Sequence, residues 1–203
     1  MQDIEFKVFL KRLRHYFALG QQLLEAVNSF PKPVIARING PALGLAFGLV
    51  FTADIRVASD TAYFKMPEVK EGLILLLSSP YIFKELGKLQ AREYALTGRR
   101  ITATEGQGVF LNATTSSIAQ LDDKVNSYLS MLMDSAPEAM AKTKMLIDII
   151  ASGGDSEQSS RVMEINNNAL EGMFLSDEAH YGVMSTFLHK KKPDWDAYLK
   201  AKL

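Results

Sequence analysis

Two features of this chain have the residue types and spacing to do chemistry: a row of backbone amides and a single carboxylate. The amides follow the turn Asn39-Gly40-Pro41-Ala42-Leu43-Gly44. It comes after the β-branched run Val34 to Ile38 and opens onto a helix of small and apolar residues, from about Leu45 to Ala53. The first N–H groups of a helix have no intrahelical acceptor and lie at the positive end of its dipole, so such a junction can hold an oxyanion. Ala42, Gly44 and Ala46 are small enough to let a ligand reach the backbone. Strand–glycine–helix junctions are also plain structure in many α/β proteins, and spacing alone leaves both readings open. The junction lacks the G-x-G-x-x-G of a dinucleotide site and the Gly-Lys-Ser/Thr of a phosphate loop. The carboxylate is Glu68, in Phe64-Lys65-Met66-Pro67-Glu68. Taken by itself it is a surface glutamate after a proline, or an acid/base.

Other chemistry is poorly represented. His15, His180 and His189 are scattered along helical stretches with no metal-ligand spacing, and no metal site is expected. Tyr63 and Tyr81 read as packing or hydrogen-bonded residues. The chain has no cysteine, which excludes disulfides, thiolate metal sites and cysteine nucleophiles. Lys plus Arg number 23 and Asp plus Glu number 23, so net charge gives no reason to bind nucleic acid or an acidic membrane. Apolar residues make up 47% of the 203, enough for a sizeable core. The longest uncharged apolar stretch, Ile38 to Ala53, is shorter than the ~20 residues that cross a bilayer.

The elements that must position these groups alternate at first. An amphipathic helix is predicted over 4–28 from Phe6, Phe9, Leu13, Tyr16, Phe17, Leu23, Leu24 and Val27, and Pro31 and Pro33 end it. Strands are predicted at 34–38, 55–58 and 62–64, then one or two helices over 78–98. Thr102-Ala103-Thr104-Glu105 has the pattern of a capping box. From Ile118 the pattern is helical, near 119–134, 137–151, 155–173 and 176–189. The domains expected are an α/β core over 1–117 and a helical region over 118–203.

The block from Lys32 to Leu73 resembles the crotonase family, the enoyl-CoA hydratases and isomerases. The resemblance rests on Lys32-Pro33-Val34-Ile35-Ala36, Asn39 to Gly44, Ala53-Asp54, Ala58-Ser59, Ala62-Tyr63-Phe64, Pro67-Glu68 and Gly72-Leu73. It continues at Ala95-Leu96-Thr97-Gly98-Arg99, Ser135-Ala136-Pro137 and Lys190-Lys191-Lys192-Pro193. It implies an α/β fold of the ClpP/crotonase type, a spiral core with a C-terminal helical oligomerisation region. Family members usually carry further N-terminal residues. These supply the first strands and an Ala-Asp segment with a second oxyanion N–H. The expectation is therefore a core lacking its usual N-terminal part, with half an oxyanion hole or as a fragment.

The resemblance also implies roles. An acyl-CoA thioester would be the substrate, and no cofactor is expected because coenzyme A is part of it. The Leu45 N–H would stabilise an enolate oxygen, Glu68 would be the catalytic acid/base, and Ala42, Gly44 and Lys190 would contact substrate. Hydratases of the family carry a second glutamate at the position that is Gly48 here. A lone glutamate is similar to the Δ3,Δ2-enoyl-CoA isomerases, with Glu68 as proton shuttle. Hydration and a catalytically silent binding or assembly subunit are the alternatives. The same logic expects Gly48→Glu to raise hydration. The apolar run Leu73 to Leu77 would line an acyl pocket or fill the core. The faces Met163, Leu170, Met173, Phe174 and Met184, Phe187, Leu188 imply a homotrimer or a dimer of trimers. The location expected is cytoplasmic, or peroxisomal in a eukaryote, because Ala201-Lys202-Leu203 is a relaxed form of a peroxisomal address.

Overall fold

Two small sheets, each fed by the same rhythm of strand, strand, helix, carry the groups singled out above. The computed structural model describes residues 2–151, 172 and 175–202. It divides into one unit of Met1–Phe30 with Val34–Asn126, and another of Pro31–Pro33 with Ser127–Leu203.

In the first unit, α1 (Gln2–Asn28) precedes β1 (Ile35–Ile38), β2 (Ala42–Leu43) and α2 (Leu45–Phe51). The rhythm repeats with β3 (Ile55–Ser59), β4 (Tyr63–Lys65), a 3₁₀ turn at Glu68–Glu71 and α3 (Ser79–Thr97). It closes with β5 (Ile101–Thr102), α4 (Ala103–Gly106), β6 (Ala113–Thr115) and the start of α5 (Ile118–Met133). One sheet has the order β1-β3-β6, with both pairings parallel, and the other β2-β4-β5, with β4 and β5 antiparallel. The first four strands thus enter the two sheets in turn, β5 then joins β4 and β6 returns to β3, so that the core winds as a spiral.

Local chemistry explains the joints. Asp54 accepts from the Val34 N–H at 2.7 Å and ties the start of β1 to that of β3. The capping box forms as its sequence implies. The Glu105 N–H donates to Thr102 Oγ1 at 3.2 Å, and the Thr102 N–H donates to Glu105 Oε2 at 2.8 Å. That backbone donor, joined by the Arg99 guanidinium at 2.7 Å, holds the Glu105 carboxyl below its ordinary range. α3 is broken at Gly87, whose φ of 70° and ψ of 162° no helix contains.

The core of this unit is aromatic. Phe47 and Phe51 of α2, Phe64 of β4 and Phe110 meet with ring centroids 5.1–5.5 Å apart, mostly tilted or edge-on. Such pairs contribute ~0.5–1.5 kcal/mol each beyond their area. The α1 stripe is only partly used: Leu24 is buried, whereas Leu13, Tyr16, Phe17 and Leu23 are exposed. Phe6 and Phe9 lie outside the residues whose side chains are described.

The second unit holds the rest of α5, then α6 (Pro137–Ala151), α7 (Asp177–Val183), a π-helical turn at Met184–Leu188 and α8 (Trp195–Lys200). The turn interrupts the single helix predicted over 176–189. The helix predicted over 155–173 lies outside the described residues, as do Met163, Leu170, Met173 and Phe174. Glu178, 3% exposed, caps α6 by accepting from the Glu138 and Ala139 N–H groups at 2.9 and 2.8 Å. Tyr181, Trp195 and Tyr198 pack ring to ring beside it. No helix among the described residues is long and apolar enough to cross a membrane.

Candidate active site

The pairing of β2 with β4 assembles the site. Ala42 pairs with Phe64 and Leu43 with Lys65, in parallel. The next amide continues the ladder, as the Gly44 N–H donates to the Lys65 carbonyl at 3.0 Å. From there one chain turns into α2 and the other, through Met66 and Pro67, into the 3₁₀ turn that begins at Glu68. The catalytic candidate and the helix start are brought together by strand register.

Gly44 meets two demands at once. Its φ of 53° and ψ of −121° form a conformation open to glycine and strained for other residues. A Cβ on it would also lie 2.8 Å from Glu68 Oε1. The carboxylate therefore occupies the space a side chain at Gly44 would take. Glu68 Oε2 is buried and has no hydrogen-bond partner. A buried carboxylate oxygen without a donor is costly to keep, and such groups concentrate where a ligand completes them.

Beside it, the Leu45 and Ala46 amides open α2 and have no intrahelical acceptor, whereas the Phe47 and Gly48 N–H groups donate to the Gly44 carbonyl at 3.0 and 3.1 Å. From the far side, Gly98 ends α3 in the left-handed region. A Cβ there would press on the Met66 carbonyl at 3.1 Å and on Val69 at 3.2 Å, so its absence lets the end of α3 support the Glu68 turn. The Leu73 N–H closes that turn onto the Glu68 carbonyl at 2.9 Å.

Ala42 is buried and, with Ile38, Pro41, Ala46 and Val50, lines a hollow of about 310 Å³ between the end of β1 and α2. Leu45 carries an exposed side chain, and Leu77 approaches it across α1 at Gly20, where a Cβ would meet Leu77 Cδ1 at 3.0 Å and Leu45 Cδ2 at 3.6 Å. The run from Leu73 does not fill the core. Leu75 is buried, but Leu73, Ile74 and Leu76 are exposed, Ile74 by 75%. Lys190 belongs to the second unit, where it is exposed and holds a φ of 51° in the turn after the π-helical segment. Tyr81 donates its hydroxyl to Glu25 at 3.1 Å, and burial first, then that carboxylate, pushes its pKa up. Tyr63 lies under the Arg100 guanidinium, 4.0 Å from its ring centre. Among the described residues no group of His, Asp and Glu could hold a metal ion.

One expectation is overturned. Gly48 faces Ser78, and a Cβ on Gly48 would lie 2.2 Å from Ser78 Oγ and 2.5 Å from its Cβ. No glutamate fits at position 48 while Ser78 stands there, so Gly48→Glu alone does not supply a second acid/base. Ser78 itself escaped the sequence reading, because no local pattern shows which residue packs over a helix glycine from another element.

Residues 12–198 match the enoyl-CoA hydratase/isomerase family model. The chain belongs to the enoyl-CoA hydratase/isomerase family. It is 36% identical over 180 residues to enoyl-CoA hydratase AFT6-1 of Alternaria alternata, covering 87% of this chain and 58% of that one. It is 31% identical over 174 residues to enoyl-CoA delta isomerase 2 of Rattus norvegicus, covering 84% of this chain and 44% of that one. The crystal structure of an enoyl-CoA hydratase from Shewanella pealeana superposes with a TM-score of 0.81 at 26% identity, covering 91% of this chain and 68% of that one. The α/β fold is therefore crotonase-like.

Gly44→Ala tests the geometry of the site. The added methyl must displace the Glu68 carboxylate and strain the backbone by ~1–3 kcal/mol. The expected result is a melting temperature clearly below that of the wild type. A variant that melts like the wild type would show that Glu68 is not held where the geometry places it.

Proposed function

We propose that this chain is an acyl-CoA-binding enzyme that moves a double bond by proton transfer, a Δ3,Δ2-enoyl-CoA isomerase. The carrying observation is the Glu68 carboxylate over Gly44, beside the Leu45 amide, with one oxygen buried and unpartnered. In this mechanism the thioester oxygen of a 3-enoyl-CoA accepts from the Leu45 N–H. Glu68 takes a proton from C2, and the electron pair spreads over the dienolate to that oxygen. The protonated Glu68 then returns the proton to C4, leaving the double bond between C2 and C3. Donors fixed before the charge develops stabilise it without reorganisation. One carboxylate completes the cycle, with no cofactor beyond the coenzyme A of the substrate and no water. Gly44 leaves room for the Glu68 carboxylate, Ala42 lines the hollow beside α2 by which the thioester would reach Leu45, and Lys190 is the residue proposed for the phosphates of coenzyme A.

The second reading is hydration. It is favoured by the name of the Alternaria alternata relative, a hydratase, and the rat relative's name supports the first. Adding water calls for a group to hold and activate it, and the side chain that could do so from α2 is missing at Gly48.

Glu68→Gln decides the role of the base. It keeps the shape of the side chain and removes its basicity. Conversion of 3-enoyl-CoA to 2-enoyl-CoA is expected to fall ~10²–10⁴-fold, the scale of a positioned general base, with binding of the thioester largely kept. A variant as active as the wild type would reject Glu68. A wild type that binds acyl-CoA but neither isomerises nor hydrates it would make the chain a silent binding subunit.

The chain also assembles, in this proposal, as a homotrimer or a dimer of trimers. The support is the apolar surface of the second unit, where Phe187 is 75% exposed and Leu188, next to it in the chain, 66%. Sedimentation at micromolar concentration should show the trimer or hexamer, and a monomer alone would contradict it.

A further inference from the structure

We infer that Ser78 decides between proton transfer and hydration at this site, by filling the space from which a second acid/base or a bound water would act. The inference rests on the reading of Glu68 as the base. Gly44 is the residue that precedes α2, and Gly48 lies in its first turns, its N–H donating to the Gly44 carbonyl at 3.1 Å. Glu68 Oε1 stands over the first and Ser78 Oγ over the second.

Its placement is fixed. Ser78 is 1% exposed, and its carbonyl accepts from the Tyr81 and Ile82 N–H groups at 3.2 and 3.0 Å, which locks it to the first turn of α3. Gly48 is buried as well. Ser78 Cβ, which no side-chain rotation moves, would be 2.5 Å from a Cβ on Gly48, whereas Ser78 Cα would be 3.2 Å away, a contact that a shift of a few tenths of an ångström relieves. Rotating the serine side chain therefore does not make room.

Hydration adds a hydroxyl to C3 and a proton to C2. The water must be held beside C3 and lose a proton there while C2 gains one. A neutral serine hydroxyl is a poor base, and at this position it also takes the volume the water would need. Proton transfer between C2 and C4 needs neither the water nor the second group. Ser78 with Gly48 is thus a specificity-determining pair for the reaction proposed above.

The test compares wild type, Gly48→Glu, Ser78→Gly and the double variant, with isomerisation, hydration of 2-enoyl-CoA and thermal unfolding measured on each. Gly48→Glu alone is expected to melt well below the wild type and to gain no hydration. The double variant is expected to recover much of that melting temperature and to hydrate ~10²-fold faster than the wild type, the lower end of what a positioned acid/base supplies. Should the double variant not fold, Gly48→Ala with and without Ser78→Gly reads the same contact. Gly48→Ala should lower the melting temperature, and Ser78→Gly should restore part of it. Three results would overturn the inference. They are Gly48→Ala melting like the wild type, Gly48→Glu hydrating as well as the double variant, and a folded double variant that isomerises but hydrates no faster than the wild type. A wild type inactive toward both thioesters overturns the Glu68 reading instead, and the inference with it.

Discussion

A two-residue parallel ladder, Ala42 with Phe64 and Leu43 with Lys65, is the constraint on which the site depends. Strand pairing fixes register in steps of one residue, and a slip by one would turn every side chain on β4 to the other face. Here the register decides that Glu68, three residues past β4, arrives over the first residue before α2. So short a ladder does not hold itself. The aromatic cluster does that, because Phe47 of α2 and Phe64 of β4 are in direct contact, their centroids 5.1 Å apart. The core and the site are thus two sides of one joint: the rings that bury α2 against β4 also hold the carboxylate against the helix start.

Glycine is used at this joint to make room for side chains from elsewhere. Gly44 yields to Glu68, Gly48 to Ser78, and Gly98 to the backbone and side chains of the Glu68 turn. Each missing Cβ is filled by another element, so α2, α3 and the 3₁₀ turn approach more closely than side chains would permit. The second unit solves its own problem with a charge. Its buried Glu178 takes two N–H groups at the start of α6, where the dipole and the orphan donors both favour a carboxylate.

Much of the local structure was legible in the sequence. The capping box at Thr102, the start of α6 at Pro137 and the strand–turn–helix order around Gly44 depend on neighbouring residues, and sequence carries those directly. The resemblance in the Lys32 to Leu73 block pointed to Glu68 and Leu45, and Glu68 stands against Gly44, the residue before Leu45. What stayed hidden depends on residues distant in the chain. Ala42, Gly44 and Ala46 suggested space for a ligand, but only the packed structure shows that Glu68 itself occupies the space at Gly44. Gly48 read as a missing carboxylate with an open place, and Ser78 fills that place. The apolar run after Gly72 read as pocket or core, yet hydrophobicity alone does not say which side of a loop faces inward, and most of it is exposed. Glu178 gave no signal either, since the helix it caps starts some 40 residues away.

In the proposed isomerisation one shielded carboxylate carries a proton from C2 to C4. Its most direct test is isotopic: 3-enoyl-CoA deuterated at C2 is turned over in ordinary water, and the product is examined for deuterium at C4. Because Glu68 has an oxygen closed off from solvent, part of the label is expected to travel with the carboxylate and appear at C4. A product whose added C4 hydrogen comes wholly from solvent, or one that carries a new hydroxyl at C3, would contradict it.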